Sequence, residues 1–198
     1  LYLTTVPFTR VGWANPVGDP ETGNIYILGV GGLFRCYSGD GKLLWERSLT
    51  EEFWMWSGYG GRTHSPIIDE DRVVLTFTHY GWGPEYGNWR HRFYAFDKKT
   101  GEIQWLSTPG GQPKDLNTYS IPVVAIINGQ RLLIHGNADG NVYAVKARTG
   151  ELVWTFKLSK RGINSSPVVV GNRVYIGHGE EKIDEANMGR FVCIDATG

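Results

Sequence analysis

Apolar residues along the chain come in short runs that Gly, Pro, Asn or Asp interrupt, and no amphipathic helical spacing persists over the length of a helix. Near the end of the chain, the segments SPVVVG, NRVYIGHG and RFVCIDATG predict three short strands joined by turns. Glycine makes up 27 of 198 residues, about twice its ordinary share of ~7%. The pattern therefore predicts an all-β chain with tight turns.

One block of sequence recurs four times. Each copy opens at an X-Pro step followed by apolar residues, at Pro16, Pro66, Pro122 and Pro167, and each closes near a glycine, at Gly41, Gly101, Gly150 and Gly198. The two markers keep the same order at intervals of about 50 residues, which indicates a true repeat. A unit of about four antiparallel strands cannot bury both sheet faces alone, so the repeat predicts the blades of a β-propeller.

The repeat divides residues 1–198 into a single propeller segment. The predicted blades cover residues 7–50, 51–109, 110–158 and 159–198, and residues 1–6 form the outer strand of a preceding or closing blade. Two arrangements stay open: the chain is a fragment of a larger ring, or residues 1–6 close a four-bladed ring.

The turn between the third and fourth predicted strands carries a recognisable motif. AFDKKTGEIQW, from Ala95 to Trp105, and AVKARTGELVW, from Ala144 to Trp154, resemble the tryptophan-docking motif of pyrroloquinoline-quinone-like (PQQ-like) propeller repeats. The first copy is one residue short, the third has Lys146 in place of Asp, and the fourth ends before its Trp. The resemblance favours a fragment of a seven- or eight-bladed ring. It implies docking roles for Trp45, Ala95, Asp97, Gly101, Trp105, Ala144, Gly150, Trp154 and Asp195.

In this motif, the indole is expected to pack between neighbouring blades over the small first residue, while Asp and the Thr-Gly turn hold the hairpin. Cys36 and Cys193 occupy that small position in the first and fourth copies. We therefore expect both cysteines to be buried, apolar and too far apart to form a disulfide.

Charge and hydropathy exclude two classes of partner. The chain has 20 Lys and Arg against 20 Asp and Glu, a pI near 7.1 and no basic run, which argues against nucleic acid. Its longest apolar stretches fall far below the ~20 residues that span a bilayer, so no membrane span is predicted. The family resemblance implies a periplasmic or secreted location.

The candidate site lies on the face that carries the loops between blades and the connections from second to third strands. Two of these connections hold long insertions, His79 to His91 and Glu180 to Gly189. Counting back three residues from each proline gives the equivalent positions Trp13, Thr63, Tyr119 and Asn164, which we expect to ring the channel mouth. The predicted ligand-binding residues are Trp13, Arg62, His64, Trp82, Asn117, Tyr119, Arg161 and Asn164. The alternatives are solvated loops and residues that cap the inner strands by hydrogen bonds.

Two functions are compatible with the resemblance. The first is a non-catalytic scaffold that binds a protein partner or small ligand through its loop-bearing face, similar in architecture to the propeller of the outer-membrane assembly lipoprotein. The alternative is part of a PQQ-dependent alcohol or sugar dehydrogenase, with PQQ and calcium as cofactors. The parts of a quinone site are not recognisable as a set, since no Asp falls at the channel-mouth positions. No catalytic residue or cofactor is therefore assigned, and the five His show no zinc-like spacing, so no metal is predicted.

Overall fold

A computed structural model describes residues 12–55, 63–79, 89–114, 118–179 and 188–197. These residues form antiparallel sheets in which neighbouring strands follow one another along the chain. We call the sheets blades A to D. Blade A contains β1 (Val17–Gly18), β2 (Ile25–Leu28), β3 (Leu33–Tyr37) and β4 (Leu43–Ser48), and blade B contains β5 (Ile67–Asp69), β6 (Arg72–His79), β7 (Arg90–Asp97) and β8 (Ile103–Ser107).

The other two blades continue the same order. Blade C contains β9 (Val123–Ile127), β10 (Gln130–Gly136), β11 (Asn141–Lys146) and β12 (Leu152–Lys157), and blade D contains β13 (Val168–Val170), β14 (Arg173–His178) and β15 (Arg190–Asp195). Among the described residues, the one helix is the short α1 (Leu49–Phe53) after blade A. The predicted all-β propeller fold is confirmed.

Side-chain alternation explains why these segments form strands. In β2 and β3, the buried residues Tyr26, Leu28, Phe34 and Cys36 alternate with half-buried ones, as expected for a sheet that packs one face on a core. In β6, every residue from Arg72 to Thr78 is buried, because neighbouring blades cover both of its faces.

Apolar cores lie between consecutive blades. Tyr26 and Phe34 of blade A pack with Leu75 and Phe96 of blade B. Two further clusters repeat the arrangement. Val74, Phe93 and Ala95 of blade B pack with Leu133 and Val145 of blade C, and Ile134 and Ala144 of blade C pack with Val174 and Ile176 of blade D. Each blade thus buries its sheet faces against its neighbours in the chain.

Trp45 and Trp105 of the motif contact the turn of the next blade. A Cβ atom built on Gly101 would lie 2.8 Å from Cδ2 of Trp45, and the Trp45 indole N–H donates to the Lys98 carbonyl at 3.3 Å. Within their own blades, Trp105 pairs with Ala95 and Trp154 pairs with Ala144 across adjacent strands. The indole therefore lies opposite the small residue of its own blade, and Trp45 also reaches the glycine of the following one.

The aspartates of the motif hold the turns. The Asp97 carboxylate accepts hydrogen bonds from the backbone N–H groups of Lys99 at 2.8 Å and Thr100 at 2.9 Å, and the Asp195 carboxylate accepts one from Thr197 at 3.1 Å. These bonds satisfy backbone donors that the sheet leaves unpaired.

The expectation for the cysteines is wrong in one respect. Both thiols are free, and Cys36 is fully buried between blades A and B, but Cys193 is exposed. Cys193 shares its exposed sheet face with Val168, Val170 and Phe191, and in the described part of the chain no further sheet covers that face. Burial at this position depends on the next blade, so the residue type alone did not predict it.

None of the described helices is long and apolar enough to cross a bilayer.

Candidate functional site

Hydrogen bonds tie the segments between blades to one another on the loop-bearing face. The Asn15 backbone N–H donates to Oγ of Ser65 at 2.8 Å, and the Ile121 N–H donates to Oγ of Ser166 at 2.8 Å. Each of these four residues directly precedes a proline that opens a repeat. Equivalent positions of consecutive blades are therefore held side by side, which fixes the loops that leave this face.

The predicted ligand-binding residues differ in exposure. Arg62, Trp82 and Asn117 lie outside the described residues. Trp13 is 55% exposed, Arg161 and Asn164 are also exposed, and Tyr119 is half-buried.

Two of the predicted positions are in direct contact. The Tyr119 backbone N–H donates to Oδ1 of Asn164 at 3.3 Å. Thr63, the equivalent position before blade B, is buried, unlike Trp13 and Asn164. The four equivalent positions therefore do not share one environment.

His64 is not exposed on the loop-bearing face, because it lies in a buried histidine cluster between blades B and C. His64, His91 of β7 and His135 of β10 are each at most 1% exposed. Their ring centroids are 5.9 Å apart for His64 and His91, 6.1 Å for His64 and His135, and 5.1 Å for His91 and His135. Sequence analysis missed this cluster, because the three residues are far apart along the chain.

The hydrogen bonds of the cluster are compatible with neutral rings. The Ser120 carbonyl accepts from Nδ1 of His64 and from Nε2 of His135, both at 2.8 Å. The His91 Nδ1 atom accepts from the Ala138 backbone N–H at 3.2 Å. Each bond can form with a neutral ring. Burial, with the neighbouring histidines, lowers the pKa of His91 well below its ordinary value and lowers the pKa of His135 to about 3.

Several polar atoms around the cluster are buried without a hydrogen-bond partner in the described part of the chain. They are Nε2 of His91, Nδ1 of His135, Oγ1 of Thr78, and both side-chain amide atoms of Asn137. Such atoms are costly unless water satisfies them, and the set offers both donors and acceptors to water. Within the described ranges, no group of three or more His, Cys, Asp or Glu side chains is arranged to hold a metal ion.

The connection from β10 to β11 in blade C is short and buried beneath both neighbouring loop segments. The Lys114 N–H donates to the Ala138 carbonyl at 2.8 Å, and the Ile163 N–H donates to the Asn137 carbonyl at 3.1 Å. The Gly111 N–H donates to Oδ2 of Asp139 at 2.9 Å. The segments that carry Tyr119 and Asn164 are therefore anchored on blade C.

The described residues do not match the chemistry of a PQQ and calcium site. Calcium requires several oxygen ligands, with carboxylates prominent among them, and no acidic group of that kind occurs in the described ranges. Trp13 is the one exposed indole among the described residues.

Comparison with known proteins places the chain among propellers. The family described as outer membrane protein assembly factor BamB matches residues 8–198. BamB from Moraxella catarrhalis is similar in structure, with 19% identity and a TM-score of 0.63 over 95% of this chain and 49% of that protein. This chain thus spans about half the length of that protein.

Two further structures share the fold at low identity. The computationally designed Ika4 protein has 13% identity and a TM-score of 0.53, with 96% of this chain and 92% of that one covered. The quinohemoprotein alcohol dehydrogenase ADHIIG from Pseudomonas putida HK5 has 16% identity and a TM-score of 0.55, with 89% and 32% covered. No curated protein is significantly similar in sequence.

Proposed function

Because the chain belongs to the family described as outer membrane protein assembly factor BamB, a family of PQQ-like propeller repeats, we propose that it is a protein-binding scaffold in outer-membrane protein assembly. The binding surface is the loop-bearing face, and the setting is the periplasm. The family match over residues 8–198 is the observation that carries this proposal.

The geometry of the loop-bearing face supports binding without chemistry. The hydrogen bonds to Ser65 and Ser166 hold the segments between blades in fixed positions, so little conformational entropy is lost when a partner binds. Trp13 offers exposed aromatic area, and Arg161 and Asn164 offer exposed polar groups. Aromatic and Arg side chains are the residues that most often anchor protein interfaces.

Site-specific photo-crosslinking in the native host tests the proposal. A photoreactive amino acid is placed at Trp13 or Asn164 on the loop-bearing face, and at Lys99 or Asn172 in turns at the opposite end of the blades. We expect the first two positions to crosslink to one protein of the outer-membrane assembly machinery and the two control positions to give no product. Crosslinks from the control positions alone would contradict the assignment of the face.

An enzyme assay tests the alternative. The full-length protein is supplied with PQQ and calcium, and reduction of an artificial electron acceptor by alcohols or sugars is followed. We expect no turnover above that of the cofactor alone. Clear turnover would replace the scaffold proposal with a quinone-dependent dehydrogenase.

A further inference from the structure

Four hydrogen-bonding side chains share one face of blade B, one at the end of β6 and three in the first part of β7. In the ladder, His79 pairs with Arg90, Phe77 with Arg92 and Leu75 with Tyr94. Because side chains alternate along a strand, His79, Arg90, Arg92 and Tyr94 all point to the same side of the sheet. That side is packed toward blade A, since Tyr94 belongs to the core shared by the two blades.

Three of these side chains have buried polar atoms that no described residue satisfies. They are Oη of Tyr94, which is fully buried, Nε of Arg92 and Nε2 of His79. The Arg90 guanidinium donates to the carbonyl of the adjacent Trp89 at 3.1 Å. A buried polar atom without a partner costs free energy unless water or a bound ligand satisfies it.

Among the described residues, no carboxylate lies within ion-pair distance of Arg90 or Arg92, although several other buried or half-buried basic residues do have such a partner. Those with a carboxylate partner are Arg35, Arg47, Arg72, Lys98 and Lys146. Across the interface, Arg47 is near but already paired with Glu52. Within the described ranges, these two cations on one strand face therefore have no carboxylate as counter-charge.

The pKa of His79 reflects burial and the positive charge of the two neighbouring arginines. Burial, together with the charges of Arg92 and Arg90, lowers the pKa of His79 to about 4. Burial also raises the pKa of Tyr94 to about 12, and Arg92 acts against that rise through its charge and through its side-chain contact with the Tyr94 hydroxyl. An anion bound beside these four side chains would raise the pKa of His79, since a negative charge favours the protonated ring.

We propose that His79, Arg90, Arg92 and Tyr94 form a binding site for a carboxylate group. The carboxylate belongs either to a small organic acid or to an acidic side chain of the protein partner, and only the second source rests on the proposed function. Guanidinium and hydroxyl donors match a planar carboxylate. A carboxylate is favoured over phosphate because transferring one negative charge from water to a half-buried site costs less free energy than transferring two.

Binding is coupled to a proton at His79. The ring is hydrogen-bonded to the backbone of Phe53, and Nε2 is the atom left without a partner. A bound carboxylate accepts from Nε2 once that atom is protonated, so affinity increases as the pH falls. The charged groups facing the ring are Arg90 and Arg92 on its own blade, and the Arg47 and Glu52 pair lies across the interface.

Histidine NMR of the full-length protein tests the site. The His79 ring is titrated with pH in the absence of probe and with sodium acetate, a blocked di-glutamate peptide, or inorganic phosphate. We expect both carboxylate probes to raise the pKa of His79 by about one unit or more, which is a tenfold coupling between proton and ligand. Phosphate is expected to have a smaller effect.

The relative affinities of the probes identify the source. Peptide binding at least about tenfold tighter than acetate indicates a partner's acidic side chain, whereas equal affinity indicates a small organic acid. No response of His79 to either carboxylate, or an equal response to phosphate, would overturn the proposal. Because this readout needs no partner, failure of the crosslinking experiment leaves it intact.

Variants separate the site from general charge effects. Arg92→Gln is expected to weaken acetate binding about tenfold, and Tyr94→Phe is expected to weaken it by a smaller factor. Arg148→Gln removes the same charge at an exposed site paired with Glu70 and should leave binding unchanged. If Arg92→Gln unfolds, Arg90→Gln provides the second test, and the titration of the unsubstituted protein still decides the outcome.

Discussion

The indole of Trp105 in blade B lies against the α-carbon of Gly150 in blade C. A Cβ atom on Gly150 would come within 2.6 Å of Cε3 of Trp105 and 2.9 Å of Cβ of Ser107. Gly150 also has a φ of +72°, in the left-handed region that favours glycine. The contact and the turn conformation therefore both require glycine, and together they join two blades.

Gly150→Ala is expected to destabilise the protein by about 2 to 4 kcal/mol, because the methyl group overpacks the indole in addition to the backbone penalty. Gly129→Ala is the matched control, since Gly129 is in the same blade with a φ of +76° and open space around it. The control should lose only about 1 kcal/mol, as measured by denaturant unfolding. Equal losses would show that the indole contact adds nothing.

Removal of a serine that links two segments between blades should loosen them locally. Ser166→Ala deletes the acceptor for the Ile121 N–H, at a cost of about 1 kcal/mol. Hydrogen exchange of the Ile121 amide should then be about fivefold to tenfold faster. Ser38→Ala, which alters a turn within blade A, serves as control and should leave that amide unaffected.

Acid should destabilise the fold through the buried histidines. The folded state holds His91 and His135 neutral, with the pKa of His135 at about 3, whereas in the unfolded chain these rings protonate near pH 6.5. Between those values the unfolded state binds more protons, so stability is present above pH 6.5 and declines as the pH falls. Each ring should contribute about 1.4 kcal/mol per pH unit.

Unfolding free energies measured from pH 7 to pH 4 test this slope. His135→Gln should reduce the slope by about one proton. Thr76→Val removes the hydroxyl 3.2 Å from Nε2 of His135 without removing a titrating group, so it should shift stability equally at every pH. An unchanged slope in His135→Gln would contradict the assignment.

The buried ion pair between blades A and B should matter more than an exposed one. Nζ of Lys98 lies 3.0 Å from Oδ2 of Asp19, with 5% and 2% of these side chains exposed, so Lys98→Gln leaves Asp19 buried without its cation. We expect a loss of about 3 kcal/mol. Lys146→Gln, whose ion pair with Glu151 is exposed, should cost less than about 1 kcal/mol in the same thermal unfolding assay.

Part of the fold could be predicted because its signals are local. Alternating apolar residues and turn glycines specify strands without reference to distant parts of the chain, and the repeated motif from Ala95 to Trp105 specifies the propeller family. Both predictions are confirmed. The predicted burial of Cys193 was wrong, because burial there requires a neighbouring sheet that the local pattern does not describe.

The histidine cluster shows what the sequence could not specify. His64 precedes blade B, His91 lies in β7, and His135 lies in β10 of the next blade, so only the packing of two blades brings their rings together.

The sequence by itself determined the strands, the turns and the number of repeats, because each depends on neighbours within a few residues. The tertiary structure decided which polar groups meet: the histidines between blades B and C, and the niche of His79, Arg90, Arg92 and Tyr94 between blades A and B. Those meetings depend on which face of one sheet packs against the next, and a one-residue change in register would reverse every face.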